Sequence, residues 1–421
     1  MLFTKIHKYK KNIALLDEKK NSFSYEDIII KSKNIKKKIK NRSLILFICE
    51  NNIASILYYI SLTINKHALI LVDDKLDNSI INSLIKKYKP QYIVSTKIKN
   101  KSFIDKVLGV SLTKINFKNN KLLNEDLSLL LSTSGSLGSS KFVKLSFENL
   151  KSNTINIIKY LKINFKDRAM TNMSFSYSYM LSIINTHIEM GASIFVSNRT
   201  MIDKIFWDNY INYKITSFNG VPYIYEIAMK FGLEKFINKN TRYLTQAGGH
   251  LEKKIKLKII NYCKKNKKKF FSMYGQTEAS PRIAYLEWKN AFKKINSIGK
   301  PIYKTKMYLI DDYKKKINKK NKIGQIVVEG ENVFLGYAKN FKDLKKENDN
   351  DKNILYTGDL GYFDKENFFY LSGRIKRIAK IQGNRINLDE LEFKLKEMGF
   401  EVICKENNKK ISIHHEKKYA R

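Results

Sequence analysis

The sequence predicts an α/β protein: a large N-terminal domain of α/β layers with parallel sheets and a small β subdomain, then a shortened α+β C-terminal domain. Short apolar runs alternate with helix-length segments through the first half, the pattern of buried parallel strands with helices on both faces. From about Gly299 the runs shorten and turns separate them, as in an antiparallel or barrel-like unit. A last helix signal then stops at Gly399. The expected bounds are 1–375 for the first domain, with the β subdomain at about 299–375, and 376–421 for a hinge and the C-terminal domain.

Each element has a local reason. Ser43–Cys49 (SLILFIC) is a continuous apolar run suited to a buried parallel strand, and Ile53–Ile64 reads as a core helix. Ala68–Val72 is a second strand, Asn78–Tyr88 a helix and Tyr92–Ser95 a third strand. Leu127–Leu131 is a further buried strand, and Ser146 can open a helix that continues over Asn149–Leu161. Ser193–Val196 and Ile215–Phe218 read as strands, and Val221–Phe231 as a helix beginning near Pro222. Tyr243–Thr245 and Phe270–Met273 are short strands, each running into a polar loop. Met307–Ile310, Gly324–Val328 and Phe368–Leu371 are the later strands, Lys342–Lys352 a charged surface loop, and Leu388–Met398 the last helix.

Composition narrows the class. With 421 residues, 43% of them hydrophobic, the chain can bury the cores of two or more domains. A net charge of +41 ordinarily suggests nucleic acid. Here the lysines run along the whole chain in triplets such as Lys36–Lys38 and Lys267–Lys269, and Asn and Ile are abundant with them. That is a compositional drift filling solvated faces, so no nucleic-acid partner is expected. Arginine is rare, yet Arg374, Arg377 and Arg385 fall close together, where a rigid fork rather than a point charge is called for. The cysteines Cys49, Cys263 and Cys404 are scattered, which suits a reducing, cytoplasmic setting without a metal site. Neither a signal peptide at the N-terminus nor a transmembrane segment is expected, Ile53–Ile64 being too short to span a bilayer.

The chemistry gathers in four motifs. Ser132–Lys141 (STSGSLGSSK) places glycines, hydroxyls and one lysine after a strand, where turned N–H groups, hydroxyls and a cation can cradle a phosphate. It does not fit the common nucleoside-triphosphatase loop, because the lysine trails Gly138 by too many positions; a solvated Ser/Gly linker has the same composition. Tyr274-Gly275-Gln276-Thr277-Glu278 follows a strand, so it sits where open α/β sheets bind ligands. Its aromatic can pack on a base, Thr277 can donate to a phosphate and Glu278 can hold Mg2+; an ordinary β-turn reads the same way. Tyr356-Thr357-Gly358-Asp359-Leu360 sets a carboxylate on a tight turn, able to accept from two ribose hydroxyls. Gly373-Arg374-Ile375-Lys376-Arg377 is either a functional arginine loop or a basic surface loop.

In this order and at these separations the motifs resemble the AMP-forming adenylating superfamily: acyl-CoA synthetases, aryl-acid ligases, luciferases and peptide-synthetase adenylation domains. Gln246-Ala247-Gly248-Gly249-His250-Leu251, Ser297–Pro301, Gly324–Val328 and Gly336-Tyr337 extend the resemblance over nearly the whole chain. It implies ATP and Mg2+, attack of a carboxylate on the α-phosphate, release of pyrophosphate, and passage of the acyl-adenylate to a thiol such as CoA or an acyl carrier protein. Thr133, Ser134, Gly135, Ser136, Gly138 and Lys141 would hold the β- and γ-phosphates. Thr277 would contact the α-phosphate and Glu278 the metal, with Gly275 and Gln276 in the same nucleotide loop. Gly248, Gly249 and Tyr274 would flank adenine, Asp359 and Arg374 the ribose, and Lys376 would lie at the hinge of the C-terminal domain. The acyl pocket would be lined by Ser174–Ser182, which lacks the aspartate that holds an α-ammonium; Ser178 stands nearest to it. A neutral or apolar acyl chain, not an α-amino acid, is therefore expected.

The sequence also departs from that family. Leu137 replaces a usual threonine, Ser140 a usual proline, Phe147 a frequent histidine and Met180 a frequent glycine. The chain after Lys376 is short, with no proline after Pro301 and no glycine after Gly399, so the family's terminal Gly-Lys segment has no counterpart. The alternative to a ligase is a nucleotide-binding pseudoenzyme of the same family lacking that lysine.

Overall fold

Leu44–Cys49 is buried at every position, which only a strand covered on both faces can be. It lies inside an eight-stranded sheet, flanked in parallel by Ala68–Asp73 and Tyr92–Ser95, with Leu127–Leu131 parallel beyond Ala68–Asp73. The structure, a computed structural model, describes residues 2–96, 103–105, 108–115, 117, 123–133, 141–233, 237, 239–345, 353–381, 384–400, 402–407 and 410–415. Helix Ile53–Ile64 is capped by Asn52, whose side chain accepts from the Ser55 N–H, and all but its last residue are buried. Helix Phe147–Leu161 begins at Ser146 in a capping box with Asn149.

One element differs from the sequence reading in a way that matters for the site. Phe142–Ser146 is a buried strand, antiparallel to Leu127–Leu131, so the Ser/Gly stretch joins two strands instead of leading straight into a helix. Lys144 conceals this strand in the sequence: it is 1% exposed, and its Nζ donates to the Asp343 carbonyl at 3.0 Å. The edge strand Gly336–Ala338 pairs with Phe142–Ser146, setting Tyr337 opposite Val143.

A second sheet of ten strands carries the remaining motifs. Ser217–Gly220, Tyr243–Gln246 and Lys269–Gly275 run parallel, and Arg282–Leu286 turns back antiparallel. Ser297–Pro301 continues the sheet into Phe369–Arg374, Ile354–Phe363, Gly324–Gly330, Thr305–Ile310 and Lys316–Ile317. The antiparallel strands beyond Gly299 are thus an extension of this sheet. A four-stranded sheet, in the order Arg168–Met170, Ser193–Val196, Ile13–Asp17, Ser22–Ser24, completes the layers.

The last unit pairs Ile378–Ile381 with Asn384–Asn387, then runs through helix Leu388–Glu397 to the hairpin Val402–Asn407 and Lys410–His415. Its core holds Ala379, Leu388 and Cys404. Arg377 justifies its fork here: Nε donates to Asp389 and Nη1 to the Cys404 carbonyl, both at 2.8 Å, while Nη2 donates to Glu392. Among the described residues no helix is long and apolar enough to cross a membrane.

Candidate functional site

Two parallel strands deliver their loops to one place. Tyr243–Gln246 ends at Gly248 and Gly249, and Lys269–Gly275 ends at Gln276, Thr277 and Glu278, so both loops lie at carboxyl ends of neighbouring strands. The second loop folds tightly because Gly275 has no side chain: a Cβ there would stand 2.2 Å from the Pro281 carbonyl oxygen. Asn153 and Asn332 hold this loop from outside it, each donating through Nδ2 to the carbonyls of Ala279 and Arg282. Neither asparagine belongs to a motif; only their long-range hydrogen bonds mark them.

The carboxylate expected on a tight turn lies instead within the strand Ile354–Phe363, opposite Arg374 in register. Gly358, at φ +75°, kinks the strand just before it, and the ladder slips just after it, between Leu360 and Gly361. Asp359 is buried and richly partnered. Its Oδ2 accepts from the Tyr274 hydroxyl at 2.5 Å and from Gln276 Nε2 at 2.8 Å, and its Oδ1 accepts from Arg374 Nε at 3.0 Å. Burial, with the Asp359 charge added, pushes the Tyr274 hydroxyl well above its ordinary pKa, so it stays a donor. A carboxylate has about four acceptor sites. With three filled, one remains for a ligand hydroxyl, and the largely exposed Arg374 guanidinium supplies donors beside it.

Across the cleft, Tyr337 donates to Glu278 Oε1 at 2.8 Å, and Lys141 Nζ stands 3.2 Å from the centre of the Tyr337 ring. Partial burial lowers the Lys141 pKa; Glu278 opposes this, and Lys376 and Lys339 add to it. Thr277 Oγ1 lies 3.3 Å from Ser178 Oγ at the start of helix Ser178–Glu189. Gln246 reinforces the glycine loop by donating from Nε2 to the Gly249 carbonyl at 2.8 Å.

Thr133, Lys141, Gly248, Gly249, Tyr274, Gly275, Gln276, Thr277, Glu278, Asp359 and Arg374 all line one cleft of about 1910 Å³, with Lys376 at its rim. Ser134, Gly135, Ser136 and Gly138, and the departures Leu137 and Ser140, lie outside the described residues. The sequence reading missed Tyr337 as a site residue and Arg282 altogether, although both line the same cleft. Among the described residues no three or more His, Cys, Asp and Glu side chains converge on a metal site. Mg2+ does not require such a cluster, since this ion is held by one or two carboxylates together with substrate phosphates. Glu278 can supply the carboxylate.

Comparison with known proteins agrees with this arrangement. Residues 45–338 match the model of the AMP-binding enzyme family. Oxalate–CoA ligase of Saccharomyces cerevisiae is 29% identical over 277 residues, 64% of this chain and 48% of its own length. 2-Succinylbenzoate–CoA ligase of Oceanobacillus iheyensis is 26% identical over 269 residues, 64% of this chain and 54% of its own length. The chain thus spans about half the length of the curated relatives it matches. The fold is shared with O-succinylbenzoate coenzyme A synthetase (MenE) from Bacillus subtilis in complex with ATP and magnesium ion, at TM-score 0.77 and 18% identity, covering 96% of this chain and 87% of that one. ATP-bound MatB from Rhodopseudomonas palustris gives a TM-score of 0.80 at 16% identity, over 99% of this chain and 88% of that one.

Proposed function

The chain belongs to the AMP-binding enzyme family, and from that premise we propose that it is an ATP-dependent ligase that activates a carboxylic acid as its acyl-adenylate and passes the acyl group to a thiol. One observation carries this reading: Glu278, Lys141, Thr277 and the Asp359–Arg374 pair, far apart in sequence, face one cleft. In the proposed reaction the acid's carboxylate oxygen attacks the α-phosphorus of ATP and pyrophosphate leaves. The thiol then attacks the acyl carbon and AMP leaves. Little covalent help is needed from the protein; positioning and charge neutralisation suffice.

Each residue has a task in that scheme. Asp359 accepts a ribose hydroxyl at its remaining acceptor site, while Arg374 donates to the other. Gly248 and Gly249 let the adenine approach the backbone, and Tyr274, its hydroxyl held by Asp359, forms the wall beside it. Thr133, Lys141 and the Ser134–Gly138 stretch bind the β- and γ-phosphates, and Thr277 donates to the α-phosphate. Glu278 holds Mg2+, which when bound neutralises phosphate charge. Lys376, at the start of the C-terminal unit, serves as the hinge.

The relatives named above are CoA ligases, which supports CoA as the thiol; an acyl carrier protein is the other candidate. Segment 174–182 contains no carboxylate to hold an α-ammonium, and Tyr177 and Tyr179 offer apolar walls to an acyl chain, so the acid is not an α-amino acid. All three cysteines are buried and unbridged, in keeping with a reducing cytoplasm. ATP–pyrophosphate exchange across a panel of carboxylic acids tests the reading. Acid-dependent exchange is expected; ATP binding without exchange by any acid would leave a nucleotide-binding pseudoenzyme instead.

A further inference from the structure

Arg282 opens the strand that returns from the nucleotide loop, opposite Gly275 in register, and it lines the cleft. It is only 2% exposed, and its Nε has no hydrogen-bond partner. The backbone fixes it from both sides: its carbonyl accepts from Asn153 Nδ2 at 2.9 Å and Asn332 Nδ2 at 2.8 Å, and its N–H donates to Asn153 Oδ1 at 3.3 Å.

The side chain's surroundings are aromatic and contain no matched anion. The guanidinium carbon stands 5.1 Å from the centre of the Tyr179 ring, its charge is felt at the hydroxyls of Tyr160, Tyr177 and Tyr179, and the guanidinium also donates a hydrogen bond to the Tyr160 hydroxyl. Among the described residues no carboxylate forms an ion pair with it. Burying a charge without an anion is costly, and arginine cannot escape by losing its proton. One aromatic face offsets only part of that cost. A cleft-facing, buried guanidinium with an unpaired N–H is therefore prepared for an acceptor brought by a ligand.

We propose that Arg282 selects acids bearing a second anionic group, a dicarboxylate above all, whose distal carboxylate it receives while the proximal one is activated near Thr277. This rests on the ligase reading and sharpens its substrate. The acyl chain keeps its apolar walls at Tyr177 and Tyr179, but its far end is charged, unlike the wholly neutral chain that segment 174–182 suggests. That segment could not reveal it, because Arg282 reaches the pocket from another strand.

Isothermal titration tests the proposal on the whole chain loaded with Mg2+ and an α,β-methylene ATP analogue. The ligands are straight-chain acids in length-matched pairs, such as butyrate with succinate and hexanoate with adipate. At some length the dicarboxylate should bind about tenfold or more tighter than its partner, the scale of a charge-assisted bidentate contact. Arg282→Leu should abolish that preference and Arg282→Lys should keep part of it, with cooperative thermal unfolding checked for both. If Arg282→Leu does not fold, the wild-type pairs and Arg282→Lys still decide. Equal or tighter binding of the mono-acids at every length overturns the role of Arg282. Pyrophosphate exchange driven by neutral acids alone removes this proposal and leaves the ligase. Binding of the ATP analogue with no acid bound and no exchange removes both.

Discussion

The hydroxyl of Tyr337 donates to Oε1 of Glu278 at 2.8 Å, and the same ring carries Lys141 Nζ at 3.2 Å from its centre. A three-residue edge strand thus aims a carboxylate and a cation drawn from two other elements. Burial and the Glu278 charge hold the phenol protonated, so it stays a donor at working pH.

Tyr337→Phe removes that donor and keeps the ring under Lys141. The loss that counts is the part specific to the transition state, a fraction of the 1.5–3 kcal/mol typical of a charged hydrogen bond. A fall of about tenfold in kcat/KM for ATP is expected, with a nearly unchanged urea midpoint. Glu278→Gln should cost more. Steady-state kinetics that are identical for Tyr337→Phe and wild type would remove Tyr337 from the site.

Asp359 and Arg374 should be unequal partners in stability. The Asp359 side chain is 5% exposed and that of Arg374 67%. Removing the carboxylate strands the buried Tyr274 hydroxyl as a donor, at about 1–3 kcal/mol, while the half-buried Gln276 amide keeps its bond to the Thr357 carbonyl. Removing the arginine loses one solvent-screened contact, worth under about 1 kcal/mol. Urea unfolding should show Asp359→Ala losing about 1–3 kcal/mol and Arg374→Ala little, while both weaken ATP binding. Equal losses would contradict the hydrogen-bond pattern.

Elements with a strong local signal were legible in the sequence. Ile53–Ile64, Asn78–Tyr88 and Tyr92–Ser95 match residue for residue, because apolar continuity and polar joints dictate them locally. Phe142–Ser146 was not legible: its central lysine mimics a solvated position, and its bond to the Asp343 carbonyl, far along the chain, leaves no local signal. The motif residues could be found by their spacing. Tyr337's role, the asparagine clamps and Arg282 could not, since each depends on a contact fifty or more residues away or on a cavity wall.

Lys256 is another buried lysine: it is 6% exposed, and its Nζ donates to the Ile295 carbonyl at 2.9 Å. Burial lowers its pKa to about 8 from 10.5. Below pH 8 the ammonium is charged in both states, and its desolvation destabilises the fold. Between the two values the folded protein has released a proton that the unfolded chain keeps, so stability rises with pH through that window. Lys256→Met should stabilise the protein by about 1–3 kcal/mol at neutral pH, less as pH climbs toward 10.5. Urea titrations at pH 7 and 9.5 measure this, and a gain independent of pH would rule out the charge as its cause.

His67 responds in the acid range. It is 1% exposed, its Nδ1 accepts the Ser43 N–H at 3.2 Å, and its Nε2 has no hydrogen-bond partner. Burial, reinforced by Arg42, lowers its pKa to about 4 from 6.5. Protonating Nδ1 would break the bond to Ser43 and put a cation in the core. The unfolded chain therefore takes up a proton across this window that the folded chain refuses, and stability is lost as pH falls from 6.5 to 4. The loss attributable to His67 is up to about 3 kcal/mol. His67→Asn keeps an acceptor for the Ser43 N–H and cannot titrate, so its stability should fall less steeply over the same range. Some slope must persist, because burial also lowers the pKa of His187. Parallel profiles for the two proteins, from urea unfolding at half-unit pH steps, would assign the acid sensitivity elsewhere.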